Sequence, residues 1–487
     1  MSIKYTPIST FFAIALLLLL GCAKDKGNYE YTTLNNFTVN NIAEDYTVYQ
    51  GDTLKIEPMI AEDQATTDRF SYAWTIEKPQ QGGRNQETAD TLSKERTFNK
   101  AVGLGPGTYL FKFTMTEKST GIYAAKTSSL MVITAFESGW VALEETPKGG
   151  DLSMIVDGTK KTYHNLFSNA NLGKYMPLPL SGLFMGNFVA KTKPVFITAN
   201  QYNKVLDPLS FKEAGDTKDV FVIPGTTNRV MTYLASNGPS SLVSTGFSAA
   251  IINGKYTIAD TYSSNELKFV EPIAGDYELA PYAGILYDSK TKRDVHVIFF
   301  DKKNSRFIYF PYGSLKMNTV FTGKTFDPLK INQEIVYATI MDNGGYNALF
   351  KDSQNTYHLY QFIYRTSDGS INARSYFTMD AASLPNIGKA TAFTGSPRSQ
   401  IMYYAAENQV YMLEFLNKSA RPIFSFPAGE NITTMEDKDN QMIISTWNGT
   451  EGKIFIFKVN DFQTFDTPAA EIYTGFGKIK ALKRKFG

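Results

Sequence analysis

From residue 37 to residue 135, apolar and polar residues alternate in short runs separated by turn-forming residues. Tyr46-Thr47-Val48-Tyr49 leads through Gln50-Gly51-Asp52 into Leu54-Lys55-Ile56. Phe70-Ser71-Tyr72-Ala73-Trp74-Thr75-Ile76 places Phe70, Tyr72, Trp74 and Ile76 on one side of a strand, because successive side chains of a strand point to opposite faces. A turn at Gly105-Pro106-Gly107-Thr108 feeds the alternating run from Tyr109 to Thr116, and a last strand runs from Ser129 to Thr134. Several short strands with regular turns in about 100 residues predict an immunoglobulin-like β-sandwich.

The rest of the chain, 136–487, repeats one pattern: an apolar strand, a polar turn, another apolar strand. The turns are Val156-Asp157-Gly158, Ala199-Asn200-Gln201, Ile252-Asn253-Gly254, Phe300-Asp301-Lys302, Lys351-Asp352-Ser353, Ala406-Glu407-Asn408 and Trp447-Asn448-Gly449. They fall roughly 40–55 residues apart, the period of propeller blades built as four-stranded sheets. Seven turns predict seven blades, and six or eight fit the same pattern. A single blade leaves apolar faces on both sides, so it is stable only between neighbours and the ring has to close. The run Gly475-Phe476-Gly477-Lys478-Ile479-Lys480-Ala481-Leu482-Lys483-Arg484-Lys485 alternates cations with apolar residues and fits a closing strand. A basic tail that binds anionic lipid or a partner is the other reading of it. The expected fold is all-β, a sandwich over 37–135 followed by a propeller-like domain over 136–487.

The start of the chain has a different pattern. One basic residue, Lys4, precedes an apolar run from Phe11 to Leu20 that suits a secretory signal rather than a membrane-spanning helix. Leu19-Leu20-Gly21-Cys22 resembles a bacterial lipobox, so residues 1–21 read as a signal peptide and Cys22 as the lipidation site. Cys22 is also the chain's single cysteine, which leaves it no disulfide partner within the chain. Residues 22–36, opening Cys22-Ala23-Lys24-Asp25-Lys26-Gly27-Asn28-Tyr29, read as a tether.

Composition adds little drive toward any polyanion. The chain has 49 Lys and Arg against 47 Asp and Glu, a formal charge of +2, so no bulk field favours nucleic acid. The 29 Tyr and 35 Phe against 3 Trp suit half-buried strands.

Candidate chemistry is sparse. His164, His296 and His358 lie in different repeat units; His164 and His358 follow their turns at similar distances and could meet at the ring axis, but no third metal ligand is evident. Asp437-Lys438-Asp439-Asn440 lacks the glycine and distal glutamate of a calcium loop. There is no Gly-x-Ser-x-Gly elbow and no phosphate loop. Glu144-Glu145 is a neighbouring acid pair, but adjacent strand residues point to opposite faces. No catalytic residue, metal or cofactor is therefore assigned. For stacking on a sugar ring, Trp447 beside the Asn448-Gly449 turn is the leading candidate, with Phe310-Pro311-Tyr312-Gly313 and Asn343-Gly344-Gly345-Tyr346 behind it. Blade packing, in which aromatics recur anyway, is the simpler account of each.

Three features together resemble the PKD-like lipoprotein family of Bacteroidota. They are the lipobox with Lys24-Asp25-Lys26-Gly27-Asn28-Tyr29-Glu30-Tyr31, the Tyr72-Ala73-Trp74 strand with the Gly105-Pro106-Gly107-Thr108-Tyr109 turn, and Gly139-Trp140 opening the second region. The resemblance implies an accessory lipoprotein of a Sus-type (starch-utilisation-like) nutrient uptake system, anchored in the outer membrane and facing the cell surface; a periplasmic orientation stays open. It implies as partners a TonB-dependent transporter and its SusD-like lipoprotein, with a glycan or peptide ligand and no nucleic acid. It carries over no catalytic residue. The expectation is a non-catalytic binding protein; a surface propeller glycoside hydrolase and a purely structural protein–protein interaction subunit are the alternatives. Two carboxylates about 5–10 Å apart in a pocket would favour the hydrolase.

Overall fold

The computed structural model describes residues 38–485, except 51, 61–67, 78–88, 105, 134–135, 187–193, 226–227, 236–246, 261–266, 292 and 342–343. The expected signal and tether, with Cys22, lie outside the described residues. The chain divides into two units, Met1–Gly103 with Gly107–Val132, and Leu104–Pro106 with Ile133–Gly487.

In the first unit, one sheet has the strand order Asp45–Tyr49, Tyr123–Ile133, Gly107–Glu117, Phe70–Glu77, Asp90–Ser93. Thr53–Ile56 pairs with Phe98–Ala101 in a second, smaller sheet. Alternation decides what is buried: Tyr109, Phe111, Phe113 and Met115 point inward from one strand, and Phe70, Trp74 and Ile76 from its neighbour. Trp74 is fully buried, with Phe98, Phe111 and Phe113 at ring distances of 5.4, 5.1 and 4.7 Å. Such pairs contribute about 0.5–1.5 kcal/mol each beyond their buried area. Its indole N–H is satisfied by the Glu95 carbonyl at 3.1 Å. This is the sandwich core expected from the sequence, with Trp74 filling it.

The second unit is a ring of seven sheets among the described residues. The second sheet takes Leu180–Phe184, Val195–Ala199, Tyr202–Leu206 and Glu213–Asp216; the third takes Met231–Ala235, Phe247–Ile252 and Lys255–Asp260. The fourth takes Leu279–Asp288, Arg293–Asp301 and Arg306–Pro311; the fifth Glu334–Met341, Gly345–Lys351, Tyr357–Arg365 and Ser370–Met379. The sixth takes Ala390–Gly395, Ile401–Ala406, Gln409–Glu414 and Ser419–Ser425; the seventh Asn431–Lys438, Gln441–Trp447, Gly452–Lys458 and Glu471–Phe476. In each of these the first strand is innermost and packs against the inner strands of the adjoining sheets.

The first sheet is assembled from both ends of the unit. Gly139–Thr146, Gly149–Val156 and Thr162–Tyr163 are its outer strands, and Lys478–Lys485 pairs antiparallel with Gly139–Thr146 as its inner strand. Lys478–Lys485 also touches the inner strands of the second and seventh sheets, which closes the ring. The C-terminal run is thus the closing strand and not a free basic tail.

Period-two alternation explains why the ring holds. In the fourth sheet, Val297 and Phe299 pack toward the third sheet, while Ile298 and Phe300 pack toward the fifth. Every gap in the ring contains such an apolar cluster, the last being Trp140, Ala142, Ile155, Ile479 and Leu482 against Ile443, Ile454, Ile456 and Phe476. No sheet has a core of its own; stability is shared between neighbours.

Six of the seven turns read from the sequence join the second and third strands of a sheet, counted from the axis. Asn253 and Gly254, at φ 50° and 71°, make the two-residue hairpin whose left-handed geometry matches strand twist. The seventh turn, Val156-Asp157-Gly158, follows the third strand of the first sheet instead. The equivalent hairpin there is Thr146-Pro147-Lys148-Gly149. The mismatch arises because the C terminus supplies the inner strand, so chain order in this sheet is offset by one.

Candidate functional site

The inner strands share an irregularity. Each shifts register against its second strand, between Leu180/Gly182, Met231/Tyr233, Leu279/Ala283, Ile335/Tyr337, Ala390/Ala392 and Ile432/Thr434, and at Leu143/Glu144 opposite the closing strand. An extra residue on one strand increases local twist and re-aims the side chains that follow it. Here the strands crowd toward an axis. Phe184, Tyr233, Tyr282, Tyr337 and Phe393 occupy five successive inner strands. Tyr282 meets Tyr337 edge-on at 5.6 Å, and Tyr337 stacks on Phe393 at 5.5 Å. The Tyr282 hydroxyl donates to the carbonyl of Val336, the bulged residue of the next sheet, at 3.1 Å.

Phe184, Tyr233, Tyr282 and Tyr337 line a cavity of about 510 Å³ on the ring axis. Tyr233, Tyr282 and Tyr337 supply aromatic wall, Leu234, Ile285 and Ile340 aliphatic wall, and Lys483 of the closing strand an ammonium. Burial pushes the three phenols above their ordinary value, so they stay protonated donors at neutral pH. No carboxylate belongs to this lining among the described residues. Among the described residues the cavity offers apolar faces, hydroxyl donors and one cation, and lacks a proton acceptor of carboxylate type.

The residues singled out from sequence lie elsewhere. Trp447 ends the second strand of the seventh sheet, half-buried, opposite Asn431 and Gly452; it does not line the axial cavity. Phe310 and Tyr346 are fully buried and belong to the clusters between sheets, so packing accounts for them. Cys22 lies outside the described residues. His164 follows the outermost strand of the first sheet and His358 sits on the third strand of the fifth, so the two do not converge. His358 is held instead by Asp352 at 2.9 Å and the Tyr376 hydroxyl at 2.7 Å. Among the described residues no group of three or more His, Cys, Asp or Glu side chains is placed to hold a metal ion. Asp439 and Asn440, at φ 53° and 60°, form the hairpin between the inner and second strands of the seventh sheet.

One cluster escaped the sequence reading. The Ser153 hydroxyl donates to Glu144 Oε1 at 2.5 Å and lies 3.0 Å from His164 Nδ1. Glu144 and Asp151 are cross-strand partners, and Ser153 faces Ala142 two places along the same ladder. An acid, a hydroxyl and an imidazole suggest nucleophilic chemistry, but both acid and imidazole contact the serine, and no relay through the imidazole forms. Ser153 is also fully buried. Glu144 Oε2 accepts the N–H of Gly477 at 2.5 Å, which ties the first outer strand to the residue just before the closing strand. Burial pushes the Glu144 carboxyl up, against the opposing pull of Ser153 and Gly477. Burial also holds His164 below the ordinary imidazole value. The cluster is a clasp on ring closure. The Glu144/Glu145 pair does split as strand geometry requires, with Glu144 buried and Glu145 half-buried.

The belt of inner-strand aromatics had a signal in the sequence, an aromatic on the inner strand of five successive sheets. It was obscured because inner and outer strands carry the same alternation.

Comparison with known proteins bears on the N-terminal part. Residues 22–177 match the PKD-like family. The match takes in the sandwich and runs on through the three outer strands of the first propeller sheet. No curated protein matches the chain. Among solved structures, a quinoprotein alcohol dehydrogenase-like protein from Bacteroides thetaiotaomicron aligns over 88% of this chain and 96% of its own, at 13% identity and a TM-score of 0.49. A DUF4784 family protein from Bacteroides caccae aligns over 80% of this chain and 95% of its own, at 11% identity and a TM-score of 0.34. TolB from Acinetobacter baumannii aligns over 79% and 81%, at 9% identity and a TM-score of 0.33. At these similarities the function of this chain has to be read from its own cavities.

Proposed function

We propose that this chain is a non-catalytic binding protein, lipid-anchored in the outer membrane through Cys22 and facing the cell surface, that serves a Sus-type uptake system. Its propeller takes a glycan or peptide segment, and a TonB-dependent transporter with its SusD-like lipoprotein is the partner. The axial cavity carries the reading. Aromatic faces with hydroxyl donors suit stacking and hydrogen bonding, whereas glycoside hydrolysis needs two carboxylates about 5–10 Å apart. The described lining has none. The anchor is supported by Leu19-Leu20-Gly21-Cys22 and by a family match that begins at Cys22.

The test is calorimetric titration of the full chain, in detergent, with oligosaccharide and oligopeptide pools from the native growth medium. The Tyr282→Ala/Tyr337→Ala double variant serves as control. Binding without turnover, lost in the double variant, supports the reading. Release of shortened products that persists in the double variant sinks it.

A further inference from the structure

Few polar side chains face the axial cavity, and their hydrogen-bond sense narrows what it takes. The Tyr282 hydroxyl is already spent as a donor, on the Val336 carbonyl at 3.1 Å, and keeps only lone pairs to offer. The Tyr337 hydroxyl lies beside the Thr339 side chain. The Tyr233 hydroxyl has no hydrogen-bond partner among the described residues, so its proton is there to donate. Unlike the unpartnered Tyr346 hydroxyl, which is shut off from solvent, it keeps accessible surface.

Lys483 supplies the charge in the described lining. It is exposed, and among the described residues it forms no ion pair or hydrogen bond. Lys438, on the inner strand of the adjoining seventh sheet, lies close enough for the two ammonium charges to oppose each other. Burial holds the Lys438 ammonium below its ordinary value; Glu436 and Asp439 oppose that, while the charges of Arg484 and Lys483 add to it. Glu436 and Asp439 thus act on Lys438, and Lys483 faces the cavity uncompensated.

The complement of this lining is an acceptor that carries negative charge on an apolar body. A neutral sugar fits poorly. Each ring hydroxyl brings a proton to donate, and the described lining has no carboxylate, amide or imidazole side chain to receive it. The end of a peptide fits better. Its carboxylate only accepts, the preceding carbonyl accepts from Tyr233, and its amide N–H has the Tyr282 oxygen as acceptor. An apolar last side chain would pack on Leu234, Ile285 and Ile340. An Asp or Glu side chain in mid-peptide also brings a carboxylate, but with the main chain running on at both sides. At about 510 Å³ the cavity has the size of a small-ligand pocket, which suits a chain end.

We propose that the axial cavity captures peptides by their C-terminal end, with the terminal carboxylate on the Lys483 ammonium and an apolar last side chain against the aliphatic wall. The proposal rests on the binding reading above and chooses peptide over glycan within it.

The experiment is calorimetric titration of the full chain, in detergent, with Ala-Ala-Phe and Ala-Ala-Leu as free acids and as C-terminal amides. The glucose hexaose and 3-phenylpropionate are titrated beside them. Lys483→Met keeps the apolar stem and removes the charge; Lys480→Met removes a charge from the same strand outside the cavity lining. The expected result is binding of a free-acid peptide about 10-fold or more tighter than of its amide. Lys483→Met should erase that ratio and leave amide binding unchanged, whereas Lys480→Met should preserve it. Tyr233→Phe should weaken acid and amide alike. Should Lys483→Met fail to fold, Lys483→Gln decides in its place. Equal affinity for acid and amide would overturn the inference, as would a ratio that survives the loss of the Lys483 charge. So would 3-phenylpropionate bound as tightly as the peptide acid, which would make the ligand a small acid. Binding of the glucose hexaose without any peptide would overturn it too, yet leave the non-catalytic binding reading standing. Release of shortened peptides would sink that reading instead, and the ratio of acid to amide affinity would still decide this one.

Discussion

Ring closure should depend on two side chains of the last strand, Ile479 and Leu482. Ile479 is fully buried and Leu482 is 5% exposed, and both pack in the cluster with Trp140, Ile443 and Ile456. Truncating a buried Ile or Leu to Ala costs about 2–5 kcal/mol, from lost transfer energy plus the cavity left behind. Taking about 3 kcal/mol for Ile479→Ala, the opening equilibrium of the closing strand should rise by roughly two orders of magnitude. Lys480, exposed and bulged out of the ladder on the same strand, is the control; Lys480→Ala should change stability by no more than about 0.5 kcal/mol. Because the chain has two units, a single unfolding free energy is ill-defined, and hydrogen exchange read locally is the appropriate assay. Peptides covering 139–146 and 478–485 should lose protection together in Ile479→Ala and in Leu482→Ala, and keep it in Lys480→Ala. The double variant should cost less than the sum, since both residues share one cluster. If protection in 478–485 stays within about twofold of the parent in both single variants, the cluster does not hold the ring closed.

Other outcomes follow from the same seam and from the anchor. A Cβ at Gly477 would press on the Glu145 carbonyl oxygen, so Gly477→Ala should destabilise the closing strand by about 1–3 kcal/mol, visible as lost exchange protection there. Glu144 titrates higher in the folded chain than in the unfolded one, so its contribution is complete below the ordinary carboxyl range and is lost as pH rises through the raised value. The difference in unfolding temperature between Glu144→Gln and the parent should therefore move in favour of the variant from pH 4.5 to pH 7.5; a difference independent of pH would contradict the burial argument. Asp157 behaves oppositely. Burial raises its carboxyl, but the Arg484 guanidinium, at 2.9 and 2.6 Å, outweighs that and holds it low. Its contribution is present above the ordinary carboxyl range and fades as pH falls through the lowered value. With the pair partly exposed, Asp157→Asn should cost no more than about 1 kcal/mol at neutral pH, less in high salt, by thermal melts. Cys22→Ser should abolish incorporation of labelled palmitate and shift the protein from the membrane to the soluble fraction; retention on the membrane would count against the anchor.

Much of this architecture is written in local pattern. Trp74 and its strand mates announce the sandwich core, and Asn253-Gly254 or Asp439-Asn440 announce hairpins, because alternation and turn chemistry act over a few residues. The offset of the first sheet was hidden because Pro147-Lys148-Gly149 carries a weaker turn signal than Asp157-Gly158, and because strand Lys478–Lys485 pairs with a segment far away in the chain. The axial cavity was hidden for a related reason. Tyr233, Tyr282 and Tyr337 are brought together only through the ring. Nothing in a local window marks an inner strand. Trp447 was conspicuous as one of three tryptophans, whereas the tyrosines of the axial belt were lost among 29.

The most direct test of the proposed surface binding role beside a transporter is purification of the tagged chain from its native membrane in mild detergent, with co-purifying proteins identified by mass spectrometry. The expected result is a TonB-dependent transporter and its SusD-like lipoprotein recovered in amounts equal to the tagged chain. Recovery of the tagged chain alone would contradict a stable complex.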